Sequence, residues 1–216
     1  MNIAILGGTG KEGAGLATRW ALVGHSIIIG SRDAERAKTK AAELREQTHK
    51  LPIMGESNAE AARLGTVIVI ALPAQGLPAT LPDVREGCRG KVVISTVVPL
   101  TFGGPRLFTP PASGSSAEEA QALLPDAKVV AAFHHIAAHE LSETEHSIEC
   151  DLLLCGNDAA AKETVGELGR SMGLRPIDVG ALSNAGPVEG ITALLATINR
   201  RYKLKNSGIK ITGLPF

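Results

Sequence analysis

NIAILGGTGKEGAGLATRWALVGHSIIIGSRDAER, residues 2–36, decides how this chain is read. A short apolar run at 3–6 leads into Gly8-Thr9-Gly10-Lys11-Glu12-Gly13, which fits G-x-G-x-x-G. A helical run follows to about Val23, and a second apolar run, 27–29, stops at Gly30. Strand, glycine turn, helix and strand in this order open a dinucleotide-binding βαβ unit. One glycine allows the tight turn, one lets backbone approach a pyrophosphate, and one lets helix pack closely on strand. The free N–H groups at the helix start then face the phosphate charge. A merely structural glycine turn is the bland alternative, and the second strand at the expected distance argues against it.

The end of the second strand selects the nucleotide. An NAD enzyme places Asp or Glu there to accept from the ribose 2′-hydroxyl. This chain places Ser31 and Arg32 there, with Asp33 offset by one residue and Arg36 a helical turn further on. A hydroxyl and two guanidiniums suit a 2′-phosphate, which Arg grips with paired hydrogen bonds. The sequence therefore favours NADP over NAD. Ordinary surface arginines at a solvated helix start are the competing reading.

Working outward, 216 residues suffice for one domain with a sizeable core, or one domain with a small appendage. The 22 Lys plus Arg balance the 22 Asp plus Glu, so no basic surplus points to nucleic acid. The first apolar run is too short and glycine-rich for a signal peptide, and no run spans a bilayer. The expectation is a soluble cytoplasmic protein. Cys88, Cys150 and Cys155 form no C-x-x-C pair and read as reduced thiols, Cys150 and Cys155 as buried small apolar residues.

Along the chain, 37–49 is rich in Ala, Lys and Glu and reads as a surface helix. Residues 51–54 suit a short third strand, and Asn58 suits the N-cap of a helix through Arg63. TVIVIAL at 66–72 and KVVIS at 91–95 suit buried parallel strands. The first ends at Pro73-Ala74-Gln75 and the second runs on to Val97-Val98-Pro99. Open α/β sheets bind ligands at that carboxyl edge. Residues 101–118 read as a long loop closed by a Ser116/Glu119 capping box. KVVAAF at 128–133 suits another strand, delivering His134 and His135 to the same edge. Strands at 151–155 and 175–179 flank a helix over 159–172. Pro187 suits the first turn of a last helix, on which Val188, Ile191, Leu194, Leu195 and Ile198 share one face.

These elements predict an α/β fold, a Rossmann-type, doubly wound, mostly parallel sheet with a small C-terminal helical part. Residues 1–155 would form the NADP-binding domain, and 156–216 would complete the second cleft and a homodimer contact through the apolar face of the last helix. Adjacent strand residues point to opposite faces, so His134 and His135 do not suit a shared metal ion. No Tyr-x-x-x-Lys pair follows the fourth strand and no G-x-S-x-G elbow is present. A nucleotide cradle with few strong acids or bases favours direct hydride transfer between two bound rings, the protein orienting them. A flavin- or metal-reducing NADPH enzyme, or an NADP-sensing regulator without turnover, fits the same residues.

GGTGKEG at 7–13, GSRDAER at 30–36, ALP at 71–73, KVVISTVVPL at 91–100, AAFHHIAA at 131–138, LLLCGND at 152–158 and VEGITALLATINRRYK at 188–203 are in register with one family. The chain resembles the NADPH-dependent reductases of the deazaflavin coenzyme F420. That resemblance implies reversible hydride exchange between NADPH and F420 in a homodimer. It implies that Gly8, Thr9, Gly10, Lys11 and Glu12 hold the pyrophosphate, and that Ser31, Arg32 and Arg36 hold the 2′-phosphate. Pro73, Ala74, Val98 and Ala137 would line the nicotinamide side, and His134, His135 and the last helix would bound the deazaflavin cleft. His134 is the candidate proton donor, with backbone and water as the favoured alternative.

Overall fold

The computed structural model describes residues 1–48 and 51–214. The order is β1 (Asn2–Leu6), α1 (Lys11–Leu22), β2 (Ser26–Ser31), α2 (Ala34–Gln47), β3 (Ile53–Ser57), α3 (Asn58–Leu64), β4 (Val67–Ile70), α4 (Leu77–Cys88) and β5 (Val92–Ser95). There follow α5 (Ser116–Leu123), β6 (Lys128–Ala131), α6 (Ala138–Ser142), β7 (Asp151–Gly156), α7 (Ala159–Ser171), β8 (Arg175–Asp178) and α8 (Ala185–Tyr202). The strands form one sheet in the order β3-β2-β1-β4-β5-β6-β7-β8. Every pairing is parallel except β6 with β7. The order reverses between β1 and β4, which opens a crevice at their carboxyl ends.

Alternation along β1 divides the core in two. Ile3 and Ile5 face a cluster with Leu16 and Trp20 of α1, Ala41 of α2 and Val165 of α7. Ala4 and Leu6 face the other side, with Ala61 of α3, Leu81 of α4 and Ala120 of α5. A parallel strand buried on both faces must be apolar throughout, and β4 reads VIVI for that reason.

Several boundaries differ from expectation. Ser57, not Asn58, caps α3, its side chain accepting from the Glu60 N–H, and β3 runs two to three residues later than predicted. The capping box lies one residue earlier, with Ser115 accepting from the Glu118 N–H at 3.0 Å. The surface helix α2 starts at Ala34, capped by the Asp33 carboxylate; its predicted end at His49 lies outside the described residues. Helix α4 was hidden in the sequence by Pro78 and Pro82, since proline disfavours helix interiors. Strand β6 stops at Ala131 because Phe133 has a φ of 66°, which breaks the extended run. The three cysteines are free and buried, Cys150 and Cys155 as expected, and burial raises each thiol pKa.

Candidate active site

Register aligns the strand ends. Leu6 pairs with Ile70, Ile70 with Ser95, and Ser95 with Ala131. The segments that follow, Gly7–Gly10, Ala71–Ala74, Thr96–Val98 and Ala132–His134, therefore leave the sheet at one edge. The glycine turn is built from contacts that leave no room for Cβ atoms. A Cβ on Gly8 would sit 2.8 Å from the Ile5 carbonyl oxygen, and one on Gly13 would sit 2.7 Å from the Gly8 Cα. Gly7 has a φ of 73° and would press on Ala71 and Leu72 across the switch point. Gly10 differs: a Cβ there would approach nothing closer than the Gly7 oxygen at 3.8 Å. Its outer face is open, and no side chain caps the start of α1. Unspent N–H groups at a helix start behind an open glycine make an anion cradle.

At the end of β2, Ser31 is buried and its Oγ accepts from the Asp33 N–H at 3.3 Å. Asp33 spends its carboxylate on the α2 cap, accepting from the Glu35 and Arg36 N–H groups. Arg32 and Arg36 are exposed and form no ion pair among the described residues. Two uncommitted guanidiniums thus flank the site where a 2′-phosphate would lie, and the nearby carboxylate is turned to the helix. Asn58 adds a contact that sequence reasoning assigned to a cap: its Oδ1 accepts from the Gly7 N–H at 3.3 Å.

Glu12 follows the turn. One carboxyl oxygen, Oε1, is buried without a partner, and burial pushes the carboxyl pKa up to about 8, against a smaller effect of the Thr96 hydroxyl. Pro73 is exposed, with Ala74 and Val98 half-buried beside it at the edge. His134 and His135 sit past the end of β6, their ring centres 5.3 Å apart. His134 is buried against backbone of Ala132, Ser95 and Val188, yet neither ring nitrogen reaches a partner in hydrogen-bonding geometry. Burial, then neighbouring His135, pushes its pKa down to about 3. A neutral imidazole keeps one ring N–H but is a far weaker acid than imidazolium. The His135 ring is buried, with Nε2 2.9 Å from the Asp151 carbonyl oxygen of β7. That contact ties the segment after β6 to β7. Among the described residues no group of three or more His, Cys, Asp or Glu side chains is placed to hold a metal ion.

The expectation that one hollow gathers Pro73-Ala74, Val97–Pro99 and 134–137 is met only by the strand ends. Ala137 opens α6 and lines a separate hollow of about 280 Å³ with Ile148, Cys150 and Asn206–Gly208. A cleft of about 1180 Å³ starts at Thr9, Gly10 and Lys11 and runs along α1 towards Asn199 and Lys205.

Two buried charged groups hold this region, and neither was legible in sequence. Arg19 on α1 donates to the carbonyl oxygens of Glu140, Leu141, Glu143 and His146. It anchors the segment that begins at His134. Glu189 on α8 accepts from the Ser116 and Ala117 N–H groups at 3.0 and 3.1 Å, tying α8 to the start of α5. Thr192 donates to the His134 carbonyl oxygen at 3.1 Å, so α8 also touches the edge.

Sheet order, switch point and open glycine together define a Rossmann-type dinucleotide-binding protein. A family model described as NADP oxidoreductase, coenzyme F420-dependent, matches residues 2–99. The F420-dependent NADP reductase of Methanothermobacter marburgensis is 41% identical over 100% of both chains. That of Methanocaldococcus jannaschii is 42% identical over 99% of both. A crystal structure from an Arthrobacter strain, provisionally assigned as an F420-dependent NADP reductase, superposes with a TM-score of 0.85 at 26% identity, covering 98% of this chain and 99% of that one. This chain belongs to the family of coenzyme F420-dependent NADP oxidoreductases. Among the described residues no helix is long and apolar enough to cross a membrane.

Proposed function

We propose that this protein transfers a hydride reversibly between NADPH and the deazaflavin coenzyme F420. The observation that carries the reading is the open face of Gly10 at the edge where β1 and β4 part. Bound there, NADP supplies or accepts the hydride at its nicotinamide ring. The backbone of Gly8, Thr9, Gly10, Lys11 and Glu12 would hold the pyrophosphate, and Ser31, Arg32 and Arg36 the 2′-phosphate. Pro73, Ala74 and Val98 would bound the nicotinamide end. His134, held by Thr192, and the first half of α8 would bound the second ring, with His135 and Ala137 setting the course of the backbone. Residues 156–216 would serve to complete that cleft. The protein's part in catalysis is then positioning: hydride transfer needs the reacting carbons about 3–3.5 Å apart.

The deciding assay follows NADPH absorbance with purified F420 and, separately, FMN as acceptor. Oxidation with F420 alone supports the proposal. Turnover with FMN alone favours a flavin reductase, and binding without turnover favours a sensor. In the same assay Arg32→Ala should raise the KM for NADPH about ten- to a hundredfold, the worth of a charged phosphate contact, and affect NADH little. Equal losses with both coenzymes would remove Arg32 from the 2′-phosphate site.

We also propose a homodimer, with its contact revised. Val188 and Leu195 of the predicted stripe are buried within the chain, whereas Leu194, Ile198 and Tyr202 remain exposed along α8. Those three side chains are offered to a second copy. A monomeric mass by light scattering at micromolar concentration would reject this.

A further inference from the structure

Where β5 and β6 end, buried polar atoms lie without partners: Glu12 Oε1, Ser95 Oγ and both ring nitrogens of His134. Burying such atoms unpaired is costly, and clusters of them mark places where something else completes the hydrogen bonding. Glu12 stands two residues past Gly10, on the first turn of α1. Its neighbour Lys11 is exposed and lines the large outer cleft. The Glu12 carboxyl instead meets Thr96, immediately after β5. The Thr96 hydroxyl donates its one proton to the Ile70 carbonyl oxygen at 3.1 Å. Burial outweighs the smaller lowering effect of Thr96, which leaves the protonated carboxyl favoured at this edge. No charged group contributes to the shift of Glu12, and the titratable side chain that β6 delivers to this edge, His134, is neutral.

A dinucleotide laid from the glycine turn towards β5 passes Glu12 on its way to the nicotinamide end. We propose that Glu12 reads the charge of the nicotinamide ring, keeping its proton beside the uncharged reduced ring and releasing it beside the cationic oxidised ring. This rests on the NADP site proposed above. An opposite charge at about 4–6 Å lowers a carboxyl pKa by roughly 1–3, enough to move a group poised near 8 through neutrality.

The test counts protons. The intact protein is titrated calorimetrically at pH 7 with NADP⁺ and with NADPH, each in buffers of different ionisation enthalpy. The 2′-phosphate contributes equally to both coenzymes, so the difference between them isolates the ring. NADP⁺ should release up to one proton more than NADPH. Its affinity should tighten relative to that of NADPH, by up to about tenfold per pH unit, as pH rises from 6 to 8. Glu12→Gln, which keeps size and neutrality, should bind both forms and abolish the difference. Equal proton counts for both forms in the unaltered protein overturn the inference without any variant. So does a difference that survives in Glu12→Gln. Parallel weakening of both forms with rising pH would instead place the carboxyl against the pyrophosphate and also overturn it. Failure of both forms to bind would reject the nucleotide site itself.

Discussion

Gly10→Val is expected to abolish NADP binding while the protein stays folded. Gly10 has φ −78° and ψ 168°, an extended conformation open to any residue. A Cβ there would meet no protein atom within 3.8 Å. The valine would therefore cost the fold little, and its methyl groups would occupy the space through which a pyrophosphate approaches the backbone. Losing even one or two charge-assisted hydrogen bonds is worth on the order of 3 kcal/mol, a loss of more than about a hundredfold. Calorimetry should detect no NADPH binding, while circular dichroism and the thermal midpoint stay close to wild type. Gly13→Ala gives the contrast, because its Cβ would drive into the Gly8 Cα at 2.7 Å and distort the turn itself. Undiminished NADPH affinity in Gly10→Val would mean that the open face is not the phosphate site.

Arg19→Met should destabilise the fold by about 3–5 kcal/mol, the range reached when a buried, fully bonded charged group is lost. Arg19 is 8% exposed, and its guanidinium serves four carbonyl oxygens, at 3.1 Å for Leu141, 2.7 Å for Glu140, 2.6 Å for Glu143 and 3.3 Å for His146. Methionine fills similar volume but donates nothing, so these acceptors must find water or stay unpaired at about 1–3 kcal/mol each. Arg19→Lys should recover only part of the loss, since one ammonium cannot reproduce the planar fork. Urea denaturation measures the effect. A loss under about 1 kcal/mol would show that the 140–146 segment holds itself.

What was legible in the sequence follows from what is local. The glycine turn, the apolar runs of β4 and β5 and the Ser31-Arg32-Arg36 cluster announce themselves because a few neighbouring residues carry the signal. The sheet edge could be placed because strands in a parallel sheet end together. Roles set by distant contacts could not be read. Arg19 looks like an ordinary polar residue of a helix, and its acceptors lie 121 to 127 residues away. Glu189 reads as a surface acid on an amphipathic helix, although it is 1% exposed and caps another element. Glu12 offered a partial signal, an acid near a supposed anion site, but only the fold shows its carboxyl turned inward to Thr96. The histidines were read on a different footing. Strand alternation was applied to a stretch where Phe133 has already broken the strand.

The span bridged by Arg19 bears on how the protein is made. A ribosome adds about 5–20 residues per second, so α1 is synthesised roughly 6–25 s before the carbonyls of 140–146 exist to receive its guanidinium. During that interval the nascent chain carries a complete glycine turn on a helix whose anchor is unmet. The central strand β1 likewise waits for β4, about 60 residues downstream, to cover its open edge. The carboxyl edge of the sheet is thus late to set, and slowing synthesis after residue 19 lengthens the time in which a half-built sheet is exposed to its neighbours.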